Sequence, residues 1–111
     1  MQADGRGDVV KTPEEIRLDY ANAIRRAQQV EEAAGILGRT AGSDLQGCLW
    51  QTVSGWEGED SREFLRRGHV LVQEMEIQVR ELKRTAGMIR AAAQRIRNAD
   101  IAAAEIAAGG G

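Results

Sequence analysis

The stretch that decides the fold is residues 49–58, which read Leu49-Trp50-Gln51-Thr52-Val53-Ser54-Gly55-Trp56-Glu57-Gly58. Longer segments with helical periodicity lie on both sides of it. Gly55 and Gly58 flank Trp56, and glycine permits backbone angles and close approaches that a Cβ atom forbids. We therefore expect a turn at about residues 51–59 that joins two helices.

The segment before this turn begins with a strong helix-start pattern. Thr12 supplies a capping hydroxyl, Pro13 suits the first helical position, and Glu15 can reach back to the cap. Apolar or small residues then recur in alternating steps of four and three, the spacing of packed helices: Ile16, Tyr20, Ala23, Ala27, Val30, Ala34, Leu37 and Ala41. The pattern predicts helix 1 over about residues 13–50, with some loosening near Gly35, Gly38 and Gly42.

The segment after the turn has the same periodicity over a greater length. Two capping pairs can start it, Ser54 with Glu57 or Asp60 with Glu63, and the sequence does not choose between them. The apolar positions are Phe64, Leu65, Val72, Met75, Val79, Leu82, Ala86, Ile89, Ala93 and Ile96. They predict helix 2 over about residues 60–107.

These elements define an all-α chain: a two-helix antiparallel hairpin over residues 12–107, with disordered tails at 1–11 and 108–111. Further apolar residues widen the stripe beside the two helical seams: Leu18, Ile24, Ile36, Leu71, Ile77 and Met88. A lone hairpin leaves such a flank in water, and a second hairpin would cover it. We therefore expect a dimer that forms an elongated four-helix bundle.

Composition and spacing argue against several other classes of protein. The chain of 111 residues has a formal net charge of −2, so nucleic-acid binding by phosphate neutralisation is disfavoured. No segment approaches the ~20 apolar residues of a membrane span, and the N-terminus lacks the pattern of a secretory signal peptide. Cys48 and His69 are the single cysteine and histidine. We expect no enzyme activity, no metal site and no cofactor.

Trp56 has two compatible interpretations. Its ring can fold back and close the end of the bundle as a structural plug. A tryptophan left partly exposed at a helix junction can equally be a recognition anchor, because aromatic side chains dominate binding hot spots.

Trp56-Glu57-Gly58 is a Trp-x-Gly motif midway between two amphipathic helices, after a Pro-Glu-Glu helix start. In these features residues 9–101 resemble the WXG family, the early secretory antigenic target-like small proteins of bacterial type VII secretion. The resemblance implies a hairpin that dimerises head-to-tail with itself or with a similar chain. It also implies export of the folded dimer by a membrane ATPase, and a role in virulence or in competition between bacteria.

The resemblance also implies a Tyr-x-x-x-Asp/Glu export signal near the C-terminus, and here the chain departs from the family. Its single tyrosine is Tyr20, in helix 1. The nearest match runs from Ile96 to Asp100, with isoleucine in place of tyrosine, and Ile96 also falls on the predicted seam.

The leading hypothesis is a non-enzymatic type VII secretion substrate, made in the bacterial cytoplasm and secreted without a cleavable signal peptide. One alternative is an export partner or targeting chaperone that pairs with the helical N-terminal segment of a larger toxin, which would carry the missing signal. Another is a cytosolic helical adaptor.

Overall fold

A computed structural model describes residues 10–109, and every secondary-structure element in that range is helical. Helix α1 spans Pro13–Arg39, a π-helical segment spans Thr40–Asp44, α2 spans Leu45–Thr52, and α3 spans Glu59–Gly109. The all-helical prediction is therefore confirmed. Most of the two predicted tails, residues 1–9 and 110–111, lies outside the described residues. Ala108 and Gly109, which were assigned to the second tail, belong to α3.

The start of α1 is the predicted capping box. The backbone N–H of Thr12 donates to Glu15 Oε1 at 2.8 Å, and the backbone N–H of Glu15 donates to Thr12 Oγ1 at 3.1 Å. The N–H of Ile16 donates to the Thr12 carbonyl at 3.0 Å. Donors that have no partner inside the first turn are thus satisfied by local groups, which fixes where the helix begins.

The predicted loosening takes the form of the π-helical segment, just after Gly35 and Gly38. The backbone N–H of Leu45 donates to the Thr40 carbonyl, five residues back instead of four. The hydroxyls of Thr40 and Ser43 donate to the carbonyls of Ile36 and Arg39, at 3.0 and 3.2 Å. Such hydroxyl bonds compete with the regular α-helical pattern and favour a local change of pitch.

Helix α3 begins differently from both predicted alternatives. Asp60 lies inside the helix and Ser54 lies in the preceding turn. Gly58 takes the position before the helix, where its carbonyl accepts from the N–H of Arg62 at 3.4 Å and from Ser61 Oγ at 2.9 Å. The backbone φ of Gly58 is +83°, which disfavours any residue that has a Cβ atom.

The chain divides into two compact units. The terminal unit comprises residues 10–28 and 86–109 of the described chain. Within it Lys11 meets Asp100 and Tyr20 meets Gln94, so the partner number falls as the first number rises. This is an antiparallel pair of helical segments, and its buried apolar side chains are small apart from one isoleucine: Ile16, Ala27, Ala86 and Ala93.

The turn unit comprises Gln29–Thr85. A Cβ added to Gly38 would lie 3.8 Å from Val79, and Leu49 packs against Gly68, so this pair of segments is also antiparallel. Its core joins Ala41, Leu49 and Val72, with further apolar side chains packed against them: Leu45, Phe64, Leu65 and Met75. Both units agree with the predicted helical hairpin, and the four-helix dimer stays a prediction.

The predicted seam residues face the interior, with one exception. Seven of them are buried: Ile16, Ala27, Ala34, Ala41, Val72, Ala86 and Ala93. Ten others are half-buried: Tyr20, Ala23, Val30, Leu37, Phe64, Leu65, Met75, Val79, Leu82 and Ile89. Ile96 is 54% exposed, so its placement on the seam is wrong. Arg97 takes the inward position in its place.

Candidate recognition site at the interhelical turn

The turn is a short, tightly bonded segment between α2 and α3. The N–H of Val53 continues the helix by donating to the Leu49 carbonyl at 3.3 Å, and the N–H of Trp56 donates to the Val53 carbonyl at 2.8 Å. Residues 53–56 thus form a β-turn with Gly55 at its third position, where φ is +88°. Two positive φ angles, at Gly55 and Gly58, reverse the chain within six residues and explain why glycine stands at both positions.

The geometry places Trp56 against one aromatic neighbour. Its ring centroid lies 5.5 Å from that of Phe64 with an interplanar angle of 63°, an edge-to-face arrangement. Trp56 is still 49% exposed. The ring is therefore held on one side and open to water on the other.

Trp50, on α2, is 59% exposed, and Cys48 is exposed as well. Val53, which precedes the turn glycines in the chain, is buried. The turn unit therefore presents two large indole surfaces of similar exposure, of which only Trp56 belongs to the Trp-x-Gly motif. This similarity makes Trp50 a natural control for any role assigned to Trp56.

The predicted export-signal positions lie in the terminal unit and differ in environment. Ile96 is exposed, whereas Asp100 is half-buried and accepts from Lys11 Nζ at 3.0 Å. Lys11 Nζ also lies 2.8 Å from Asp19 Oδ2. The hydrogen bonds that Lys11 donates, to Asp19 foremost and also to Asp100, raise the pKa of Lys11 above its ordinary value.

Arg97 occupies the seam position that the sequence had assigned to Ile96. Its guanidinium carbon lies 4.5 Å from the centroid of the Tyr20 ring, and Tyr20 Oη donates to Gln94 Oε1 at 3.3 Å. A planar guanidinium stacks on an aromatic face, so an arginine can fill a helix seam that periodicity reserves for an apolar side chain.

Gly68 is a structural residue that sequence reasoning missed. It is buried, and a Cβ added there would lie 2.6 Å from both methyl groups of Leu49. Leu49 and Gly68 are almost equally far along the chain from Gly58. A hairpin centred on Gly58 pairs such residues, and this symmetry is the signal that could have found the contact.

The described residues offer little that points to other chemistry. No group of three or more histidine, cysteine, aspartate or glutamate side chains between residues 10 and 109 is arranged to hold a metal ion. None of the helices in that range combines the length and the hydrophobicity needed to cross a bilayer.

Comparison with protein-family models, curated proteins and solved structures finds no match for this chain. The case for a function therefore depends on the residues and geometry described above.

Proposed function

We propose that the chain is a non-enzymatic substrate of a bacterial type VII secretion system, a helical hairpin resembling the WXG family that is exported as a folded dimer. The observation that carries the proposal is the turn at Trp56-Glu57-Gly58. There a half-exposed indole stands two residues before a glycine whose φ of +83° starts α3.

The exposed part of Trp56 supports a recognition role. A fully packed plug would bury the indole, whereas this ring contacts Phe64 edge-on and leaves about half of its surface to a partner. Because partly exposed tryptophans supply large apolar contact areas, the ring suits docking to the secretion ATPase or to a partner hairpin. Docking of this kind involves no bond-making chemistry, consistent with a non-enzymatic role.

Exposed apolar side chains support dimerisation with a similar hairpin, either a second copy or a related chain. Five of the six flanking residues identified in the sequence are exposed: Leu18, Ile36, Leu71, Ile77 and Met88. Ile24 is half-buried. Burial of such side chains against a second hairpin is favourable by about 25 cal/mol for each Å² of apolar surface removed from water.

The environment of the degenerate signal favours one alternative. Asp100 is engaged by Lys11, and an isoleucine stands where the family signal has tyrosine. These features suit an export partner that depends on a larger toxin for the complete signal. A cytosolic helical adaptor is the remaining alternative.

The test is secretion from a bacterium that carries a type VII system, with a strain lacking the membrane ATPase as reference. The wild-type chain should accumulate in the medium only when the ATPase is present. Trp56→Ala should reduce secretion at least about tenfold while leaving the helical circular dichroism unchanged, since a hot-spot tryptophan contributes about 2 kcal/mol or more to binding.

Trp50→Ala is the matched control, because Trp50 has similar exposure and lies outside the motif. Equal secretion of both variants would contradict the recognition role of Trp56. Secretion only when a larger toxin is co-expressed would replace the substrate role with that of an export partner. Retention in the cytoplasm both with and without the co-expressed toxin would favour the cytosolic helical adaptor.

A further inference from the structure

The terminal unit has a smaller apolar core than the turn unit. Its buried residues are one isoleucine and three alanines: Ile16, Ala27, Ala86 and Ala93. The turn unit buries Leu49, Val53 and Val72 as well as two alanines. Further large apolar side chains pack against its core: Leu45, Phe64, Leu65 and Met75. Because the gain from burial grows with the apolar area removed from water, the hydrophobic effect holds the two segments of the terminal unit together less strongly.

Polar contacts connect the two segments near the beginning of α1. Lys11 Nζ lies 3.0 Å from Asp100 Oδ2 on α3, and the Lys11 side chain is 38% exposed. The guanidinium carbon of Arg97 on α3 lies 4.5 Å from the centroid of the Tyr20 ring on α1. Each contact of this kind contributes modestly where solvent screens it. The terminal unit is therefore closed by a small core and a few weak polar contacts.

The connectivity of the chain makes the two units depend on each other unequally. The turn at residues 53–58 joins the segments of the turn unit directly, whereas residues 29–85 separate the segments of the terminal unit. With the turn unit unfolded, pairing in the terminal unit would have to close that whole loop, and the entropy cost of loop closure rises with loop length. The turn unit can therefore stay folded when the terminal unit opens, whereas the reverse is disfavoured.

From this combination we infer that the terminal unit opens as one cooperative unit while the turn unit stays folded, and that Lys11 and Arg97 form the clasp that keeps it closed. Opening separates residues 10–28 from residues 86–109, exposes Ile16 to water and releases Asp100 from Lys11. Folded proteins open locally in contiguous units whose opening free energies lie below that of global unfolding. This conformational change does not depend on the proposed role in secretion.

The test is chemical labelling of single thiols in the full chain, with Cys48→Ser as the background. Ala27→Cys and Ala93→Cys place a thiol at buried positions of the terminal unit. Ala34→Cys and Ala41→Cys are the matched variants of the turn unit, where both alanines are also buried. Each labelling rate is divided by the rate for the same variant unfolded in urea, so the ratio reports how often the thiol becomes exposed.

The two terminal-unit thiols should share one rate, at least about tenfold above that of the turn-unit thiols. Their labelling should also depend less on urea, because local opening exposes less surface than global unfolding does. Equal rates at all four positions would show that the chain opens only as a whole. Clearly faster labelling of Ala93→Cys than of Ala27→Cys would show gradual fraying from the chain ends. Either result would overturn the proposal.

Arg97→Gln tests the clasp, because it removes the stacking on Tyr20. It should speed the labelling of both terminal-unit thiols by about threefold to tenfold and leave the turn-unit thiols unchanged. Arg95→Gln, at an exposed position of the same helix, is the matched control and should change the rates less than about twofold. No acceleration by Arg97→Gln, or equal acceleration in both units, would overturn its role in the clasp.

Lys11→Gln removes the other half of the clasp and should speed the labelling of the terminal-unit thiols by about twofold to fivefold. High salt should reduce this difference, because screening weakens ion pairs between partly exposed groups. Lys83→Gln, at an exposed position of the turn unit, should label like the background chain. Equal effects of the two lysine variants would overturn the role of Lys11, and circular dichroism verifies that every variant is folded.

Discussion

In the terminal unit, charged and polar contacts join the two helical segments beside a few mostly small apolar side chains, whereas in the turn unit a cluster of larger apolar side chains joins them. Lys11 with Asp100, and Tyr20 with Gln94, cross between the segments of the terminal unit. Leu49, Val72 and their neighbours do so in the turn unit. Ion pairs depend on pH, whereas close packing depends on side-chain volume. We therefore expect a change of pH to affect mainly the stability of the terminal unit, and a change of side-chain volume mainly that of the turn unit.

The largest expected effect is in the turn unit, at Leu49. Leu49→Ala removes a buried side chain from the core cluster and should lower the free energy of unfolding by about 2–4 kcal/mol. Urea titration measures the change. Trp50→Ala removes a larger but mostly exposed side chain and should cost less than half as much. Equal costs would contradict the view that volume in the core holds this unit together.

The next effect comes from Gly68, where a methyl group has no room. Gly68→Ala places a Cβ 2.6 Å from the Leu49 methyl groups and should cost about 1–3 kcal/mol by overpacking. Gly87→Ala, in the same helix but with open space around it, should stabilise the chain by up to about 1 kcal/mol. The two substitutions should change the free energy of unfolding in opposite directions in urea titrations, and stabilisation by both would contradict close packing at Gly68.

In the terminal unit the informative residue is Lys11. Lys11→Gln should lower the free energy of unfolding by no more than about 1 kcal/mol, because Lys11 is more than one-third exposed and solvent screens its ion pairs. The folded state raises its pKa above 10.5, so the contribution is complete below that pH and is lost as the pH rises through the folded-state value.

Lys83→Gln, at an exposed position of the turn unit, is the control for Lys11. Wild type and Lys11→Gln should differ in urea titrations at about pH 8 and converge at strongly alkaline pH, whereas Lys83→Gln should match wild type at about pH 8. A Lys11 effect that persisted undiminished in strong alkali would show that the contact is one of packing and not of charge.

The smallest effect tests whether charge matters at all in the turn unit. Glu63 accepts from Arg66 and Arg67, and these hydrogen bonds lower its pKa below 4.5. Stability gained from Glu63 is therefore present above pH 4.5 and is lost as the pH falls through the folded-state value. Glu63→Gln should be slightly less stable than wild type at neutral pH, and the difference should vanish in acid.

Glu74→Gln, at an exposed position on α3, gives the baseline for removing a carboxylate from this unit. A loss for Glu63→Gln that exceeded the loss for Leu49→Ala would reverse the contrast between the two units.

Features set by neighbouring residues could be predicted from the sequence, and the Thr12–Glu15 capping box is the clearest example. Both of its hydrogen bonds span three residues, so local geometry determines them. The turn between the helices follows equally well from Gly55 and Gly58. The same local reasoning failed for the start of α3, because it searched for a side-chain cap. The residue before this helix is Gly58, whose backbone carbonyl accepts the hydrogen bond from the N–H of Arg62.

Features that depend on contacts between the paired helical segments could not be predicted from helical periodicity. The seam shifted from Ile96 to Arg97 because stacking on Tyr20 gives the guanidinium an inward place. Lys11 was assigned to a tail because its two carboxylate partners lie 8 and 89 residues away. At the candidate site, Trp56 and Gly58 were found from their motif, whereas the contact with Phe64 required the folded turn.

The π-helical segment sets the rotational phase of everything that follows it in the first arm. Its wide turn accommodates one residue more than an α-helical turn does, as the bond from Leu45 to Thr40 shows. Without the extra residue, as after deletion of Gly42, a continuous α-helix would place Leu49 seven residues after Ala41, about 700° further on, which is the same face of the helix. The five residues Thr40–Asp44 thus absorb one surplus residue, and through them Ala41 and Leu49, eight residues apart in the chain, reach the same core.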